Sequence, residues 1–153
     1  MAGDIEKKLA EMGIDLPQTV PAGSYVPTVT TGNLLHVSGQ IPMGPDGPEY
    51  IGKLGDDMNV EDAQKAARLC AINILGQAKV ALGDLDRIVR VVKTQNFVNA
   101  TPDFTQHPEV ANGSSDFLAE VLGEKGKHAR AAIGMSSLPR GVAVEIDALI
   151  EFE

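Results

Sequence analysis

Two charged residues in the closing stretch "HARAAIGMSSLPRGVAVEIDALIEF" are candidates for chemistry. Arg130 heads a run of small and apolar residues, where a merely solvated charge is out of place. Its guanidinium stays protonated and offers a planar fork of donors, which suits a carboxylate held through two parallel hydrogen bonds. Glu145 recurs in the middle of the next apolar run. Each has a plainer reading: Arg130 as a surface ion-pair partner at a strand end, Glu145 as a solvated strand residue beside Asp147. Tyr25, Ser38 and Asn112 complete the set of polar residues expected at strand ends.

Other chemistries find little support. His36, His107 and His128 lie far apart on unlike elements, and no HxH, HExxH or CxxC spacing occurs, so no metal site is expected. Cys70 falls on the apolar stripe of a helix and reads as a small core residue rather than a nucleophile. No nucleophile elbow, Walker loop or dinucleotide fingerprint is present, and "GPDGPEYIG" lacks the strand-to-helix setting that phosphate binding needs.

The elements that must position these residues follow from periodicity and punctuation. "DIEKKLAEMG" is an amphipathic helix with Ile5, Leu9 and Met12 on one face and Gly13 ending it. "DLPQTVPAGSY" is an extended connector, since Pro17 and Pro21 forbid regular helix. β-Branched residues around "TGN" predict a hairpin of Val26 to Thr30 with Leu34 to Ser38. "MGPDGPEYIGKLGDD" reads as a surface loop with one short strand. A long helix follows, capped by Asn59 and stopped by Gly83, with Ala63, Ala67, Cys70, Ile74 and Ala81 as its packed stripe. "RIVRVVKTQNFV" is a buried strand. The loop "NATPDFTQHPEVANGSS" then leads to a short helix, "DFLAEVLG", capped by Ser114 or Ser115.

"VAVEIDALIEF" alternates with period two, placing Val142, Val144, Ile146, Ala148 and Ile150 on one face and Glu145, Asp147 and Glu151 on the other. Leu138 to Gly141 form the turn joining it to a strand that begins near Ala129. The fold class is therefore α+β, a mixed β-sheet with two helices packed on one face. If Ser137 pairs with Val142 in that terminal hairpin, Arg130 falls opposite Leu149, roughly 13 Å along the strand from Glu145. Unless side-chain reach or a bulge closes the gap, two groups so placed do not share a small ligand within one subunit, so the expected site lies between subunits. The uncovered sheet face is less polar than a solvent-exposed one, which also points to an oligomer.

A length of 153 residues fits one compact domain, and 43% hydrophobic with 22% charged residues is ordinary for a globular chain. A net charge of −8 argues against a nucleic-acid partner, which would need clustered Lys and Arg, and an aromatic content of 4% leaves little surface for stacking bases. One cysteine, no apolar signal segment and no membrane-length run lead to an expected cytoplasmic location without membrane attachment.

Taken together, "GSYVPTVTTGNLLHVSGQIP", "HARAAIGMSSLPRG" and "VAVEIDALIEF" resemble, in order and spacing, the RidA/YjgF family of enamine/imine deaminases, also described as L-PSP endoribonucleases. The resemblance runs from about Ala22 to Phe152, leaving residues 1–21 as an N-terminal helix and connector and 22–153 as the family-like domain. It implies a chorismate-mutase-like fold assembled as a homotrimer with clefts between subunits. It further implies that Arg130 binds a substrate carboxylate and that Glu145 orients or activates water. Tyr25, Ser38 and Gly39 would shape the cleft, and Asn112 would line it. The implied reaction is hydrolysis of 2-imino acids and their enamine tautomers, such as 2-aminoacrylate, to 2-keto acids and ammonia, with no cofactor.

This chain departs from the family pattern in three places. Ala132 stands where the deaminases usually carry Cys, Pro27 where a Gln often follows the Tyr, and the 101–115 loop is longer than usual. The alternative reading is a non-catalytic trimer that captures a small carboxylate metabolite. Ribonuclease activity conflicts with the acidic charge and with the lack of a His or Lys general-base pair.

Overall fold

The 23-residue helix α2 (Val60–Leu82) is the axis on which the chain is built. Its N-cap Asn59 accepts from the Asp62 backbone N–H at 2.8 Å, and Gly83 ends it in the left-handed region at φ 79°. Cys70 through Ala78 are buried without a break, so this helix is enclosed on more than one side. Ala63, Ala67, Cys70 and Ile74 are in the core as predicted, but Ala81 is exposed, and the stripe passes through Ala78 and Leu82 instead. The connector after the first helix covers the outer face of α2: a methyl group at Gly76 would meet the Pro17 carbonyl oxygen at 2.3 Å, so only glycine permits this approach.

The computed structural model describes residues 2–18, 20–21 and 23–153; Ala22, where the family resemblance begins, is outside that set. Helix α1 (Asp4–Glu11) buries Leu9 and is fastened by Asp86, which accepts from the backbone N–H groups of Asp4 and Ile5 at 2.7 and 3.0 Å. Glu6 adds an ion pair to Lys79 at 2.7 Å. The N-terminal segment is thereby packed into the core rather than hung on it.

A five-stranded sheet has the order β1-β2-β7-β5-β6, with β1 Thr28–Thr31, β2 Leu34–Gln40, β5 Ile88–Asn99, β6 Ala129–Met135 and β7 Val144–Phe152. The predicted first hairpin forms, starting two residues later than expected and running on to Gln40. The Gly- and Pro-rich stretch after it holds a two-stranded ladder, β3 (Met43–Gly44) with β4 (Gly47–Pro48), rather than one strand. Alternation along β7 places Val144, Ile146, Ala148 and Ile150 against the helices, while Glu145 and Asp147 face away.

Two expectations are corrected. Helix α3 spans His107–Leu122, so Asn112, Ser114 and Ser115 lie inside a helix and the preceding loop shrinks to residues 101–106. The Asn-Gly-Ser-Ser run resembles a turn, yet Pro108 is tolerated in the first helical turn, and packing on α2 and β6 overrides the weak local propensity. The terminal β6–β7 hairpin does not form. Strand β6 runs parallel to β5, with α3 as the crossover that parallel pairing requires, and β5 separates β6 from β7. Residues 136–143 cross the sheet end: Ala143 N–H donates to Tyr50 O, Asn99 N–H to Ala143 O, and Gly52 N–H to Gly141 O. The two helices α2 and α3 cover one face of the mixed sheet, with α1 at their end, giving an α+β fold.

Candidate functional site

Strand β2 does not pair regularly with β7. Val37 opposes Ala148 and Gln40 opposes Ile146, so Ser38 and Gly39 together face Asp147 in a bulge. The extra residue reverses the phase of the strand: Val37 and Gln40 are both buried, while Ser38 and Gly39 turn to the uncovered face. Bulges commonly re-aim side chains beside functional sites. Here the bulge brings Gly39 against the next strand, where a methyl group would sit 3.1 Å from the Glu145 Cδ and 3.2 Å from its Oε2. The missing side chain leaves the carboxylate its place.

Around this point lies a cleft of about 790 Å³, within the range of small-molecule sites. Tyr25, Ser38, Gly39 and Glu145 line it, as do Ile41 and the turn Pro139–Arg140. The Ser38 hydroxyl donates to the Val26 carbonyl at 2.8 Å, and the Pro27 carbonyl accepts from the Ser38 N–H at 2.9 Å, so the segment carrying Tyr25 is tied to the bulge. Behind it, buried Asn73 on α2 donates to the carbonyls of Ile41 and Met43 at 3.0 and 3.2 Å and fixes the chain that leaves β2. Burial in this half-covered setting raises the Glu145 carboxyl above its ordinary range, and the neighbouring Asp147 charge raises it further. Burial does the same to Asp147, against the opposing pull of the Gln95 N–H and Lys93.

Arg140 was missed by sequence reasoning, although "LPRG" was in view. Its backbone sits at φ 61°, the left-handed region that costs a non-glycine residue about 1 kcal/mol or more. The bonds Gly141 N–H to Leu138 O, Val142 N–H to Pro139 O and Gly52 N–H to Gly141 O hold this turn.

Arg130 belongs to a second cluster. Its register partner on β5 is Thr94, whereas Glu145 is level with Phe97. The two are thus three residues apart along β5 and two strands apart across it, roughly 10 Å in each direction. They also project from opposite faces. The Arg130 guanidinium donates to Ser115 Oγ at 3.0 Å and to the Pro108 carbonyl at 3.3 Å, both on α3. Asn112 falls between these contacts in the helical repeat, on the same α3 face. Ser115 Oγ also lies 3.0 Å from His128 Nε2, and His128 Nδ1 meets the Gly126 carbonyl. A carbonyl can only accept, so Nδ1 carries a proton, and Ser115 Oγ accepts from Arg130 while it bonds the other ring nitrogen. This chain of contacts fixes the arginine's direction, and no motif in the sequence signals it.

Tyr25, Ser38, Gly39 and Glu145 therefore converge within one chain, while Arg130 and Asn112 do not join them. The separation of Arg130 from Glu145 expected from the sequence holds, but its cause is the intervening β5 and the two sheet faces rather than a hairpin offset. Cys70 is fully buried, with Sγ 3.6 Å from the Val144 carbonyl, and burial raises its thiol well above the usual range, with the Glu145 charge adding to this. Among the described residues no group of three or more His, Cys, Asp or Glu side chains is placed to hold a metal ion, and no helix is long and apolar enough to cross a membrane.

Comparison with known proteins gives this architecture a context. Protein TCP17 of Trypanosoma cruzi is 48% identical over 152 residues, covering 98% of this chain and 95% of its own. The crystal structure of Atu1372 from Agrobacterium tumefaciens, described as of unknown function, superposes with a TM-score of 0.91 at 50% identity over 97% of this chain and 94% of that one. Escherichia coli TdcF, solved with bound serine, matches at a TM-score of 0.63 and 25% identity over 87% and 91% of the two chains. Residues 6–146 match the family described as "YjgF/chorismate mutase-like, putative endoribonuclease", and with relatives so similar along nearly their whole length, the chain belongs to the RidA/YjgF family.

Proposed function

We propose that this protein hydrolyses 2-imino acids and their enamine tautomers to 2-keto acids and ammonia, in a cleft between subunits of a homotrimer. The observation that carries the reading is Glu145: a half-buried carboxylate, raised above its ordinary range, facing an open cleft beside a bulge that makes room for it. A carboxylate shifted in this direction is better matched to proton transfer near neutral pH. Within one chain the cleft lacks Arg130, so a neighbouring subunit's Arg130, already aimed by Ser115 and Pro108, would complete it as the anchor for the substrate carboxylate. The serine bound to TdcF is a small carboxylate-bearing ligand of the kind such a cleft would take.

In this scheme Glu145 accepts a proton as water adds to the imine carbon and returns it to the nitrogen. The resulting carbinolamine then loses ammonia as Glu145 takes the hydroxyl proton, passes it to the leaving nitrogen, and the C=O bond forms. Tyr25 and Ser38 line the approach. Holding the carboxylate and the water in fixed relation supplies most of what the reaction needs, and no cofactor takes part.

Ammonia and pyruvate release from 2-iminopropionate generated in situ tests the reading, with an expected rate well above background and a Glu145→Gln variant that lacks it. No rate above background would refute it. Ala132, at the position where the family's deaminases usually carry Cys, favours a second reading: a trimeric binding protein for small carboxylates, in which pyruvate binds without turnover.

A further inference from the structure

We propose that Arg140 is a specificity residue of the Glu145 cleft and that it selects dicarboxylic 2-imino and 2-keto acids by binding their distal carboxylate. The proposal rests on the function above, in which Arg130 from the neighbouring subunit takes the carboxylate next to the imine.

Three observations support it. Arg140 is the sole cation among the described residues lining the cleft, whose acidic wall is Glu145, with Asp147 two residues along the same strand face. A ligand bringing a second negative charge into that setting would be repelled unless a cation met it, and a guanidinium meets a carboxylate with two parallel hydrogen bonds. The side chain is available: among the described residues Arg140 makes no hydrogen bond, ion pair or ring contact, while Arg130 is engaged by Ser115 and Pro108. Finally, the position is one at which glycine would be cheaper. Arg140 is held at φ 61° by a hydrogen-bonded turn, followed by Gly141 at φ 72°, and a long side chain kept in the left-handed region on the rim of a cleft is better explained by what it binds than by the turn.

The test is titration calorimetry of the full chain with 2-oxoglutarate and with 2-oxopentanoate, which has the same carbon chain without the second carboxylate. The wild-type protein should bind 2-oxoglutarate at least about tenfold more tightly, a difference that shrinks with added salt. Arg140→Gly suits the backbone and should fold normally; it should abolish the preference while leaving 2-oxopentanoate affinity unchanged, and Arg140→Lys should retain part of the preference. Equal binding of the two acids by the wild-type protein, binding of neither, or an Arg140→Gly variant that weakens both alike would overturn the proposal. The two claims fail separately. Imine hydrolysis without dicarboxylate preference removes only this inference, whereas the preference without hydrolysis of any imine removes only the deaminase reading.

Discussion

The cleft at Glu145 and the cluster at Arg130 are built on the same sheet but by opposite means. At Glu145 the sheet makes room: a bulge at Ser38 and Gly39, a glycine without a side chain, and a turn on which Arg140 has no side-chain partner among the described residues. At Arg130 two contacts from α3, to Ser115 and Pro108, direct one guanidinium on the helix-covered face, and His128 holds Ser115 in turn. One region is open and chemically exposed, and the other is preorganised and offers its charge from a sheet edge, since β6 is the outermost strand. The difference teaches that one sheet can hold an open carboxylate and a preorganised guanidinium apart within the same chain, which is the arrangement the proposed assembly would draw on.

The sharpest way to break the comparison is Glu145→Gln. It removes the proton acceptor but keeps the shape, so imine turnover should fall by about 10²–10⁴-fold while keto-acid binding persists; equal loss of both would make Glu145 a binding group. Arg130→Lys keeps the charge and loses the fork, and ligand affinity should fall by about tenfold or more with the fold intact by circular dichroism. Unchanged affinity would place the carboxylate elsewhere. Gly39→Ala puts a methyl 3.1 Å from the Glu145 Cδ and should lower kcat by up to about tenfold with little effect on KM. Ser115→Ala leaves Arg130 in place but less directed, and should raise KM a few-fold without changing kcat.

The smallest effect concerns stability. Because Glu145 is raised in the folded state, the native protein holds a proton that the unfolded chain releases, so its contribution falls as pH rises from the ordinary carboxylate value to the raised one. Glu145→Gln should therefore have a higher melting temperature than wild type at pH 7, and the gap should close as pH drops through the carboxylate range. Asp147, raised by burial as well, should behave alike on substitution with Asn. A gap that widened on acidification would mean that Glu145 is paired rather than desolvated.

Much of the fold could be read from residues. The capped helix from Asn59 to Gly83, the turn at "TGN" and the period-two closing strand each carry their own local signal and each formed, the strand starting at Val144 rather than Val142. Helix α3 was shortened in the sequence reading because Asn112, Gly113, Ser114 and Ser115 are turn-formers by local propensity, which packing overrode. The terminal hairpin was misread because alternation tells which face a residue takes and nothing about which strand lies beside it.

What the sequence by itself determined about this protein is the chemistry available: a guanidinium and a carboxylate fifteen positions apart in an acidic, cysteine-poor chain. Tertiary structure decided how those groups are used. Insertion of β5 between β6 and β7 sends Arg130 and Glu145 to opposite faces, and the bulge at Gly39 opens space for only one of them. The reason is physical: side-chain identity and local period are properties of short segments, whereas strand order is set by long-range pairing and by the helix that must cross between parallel strands.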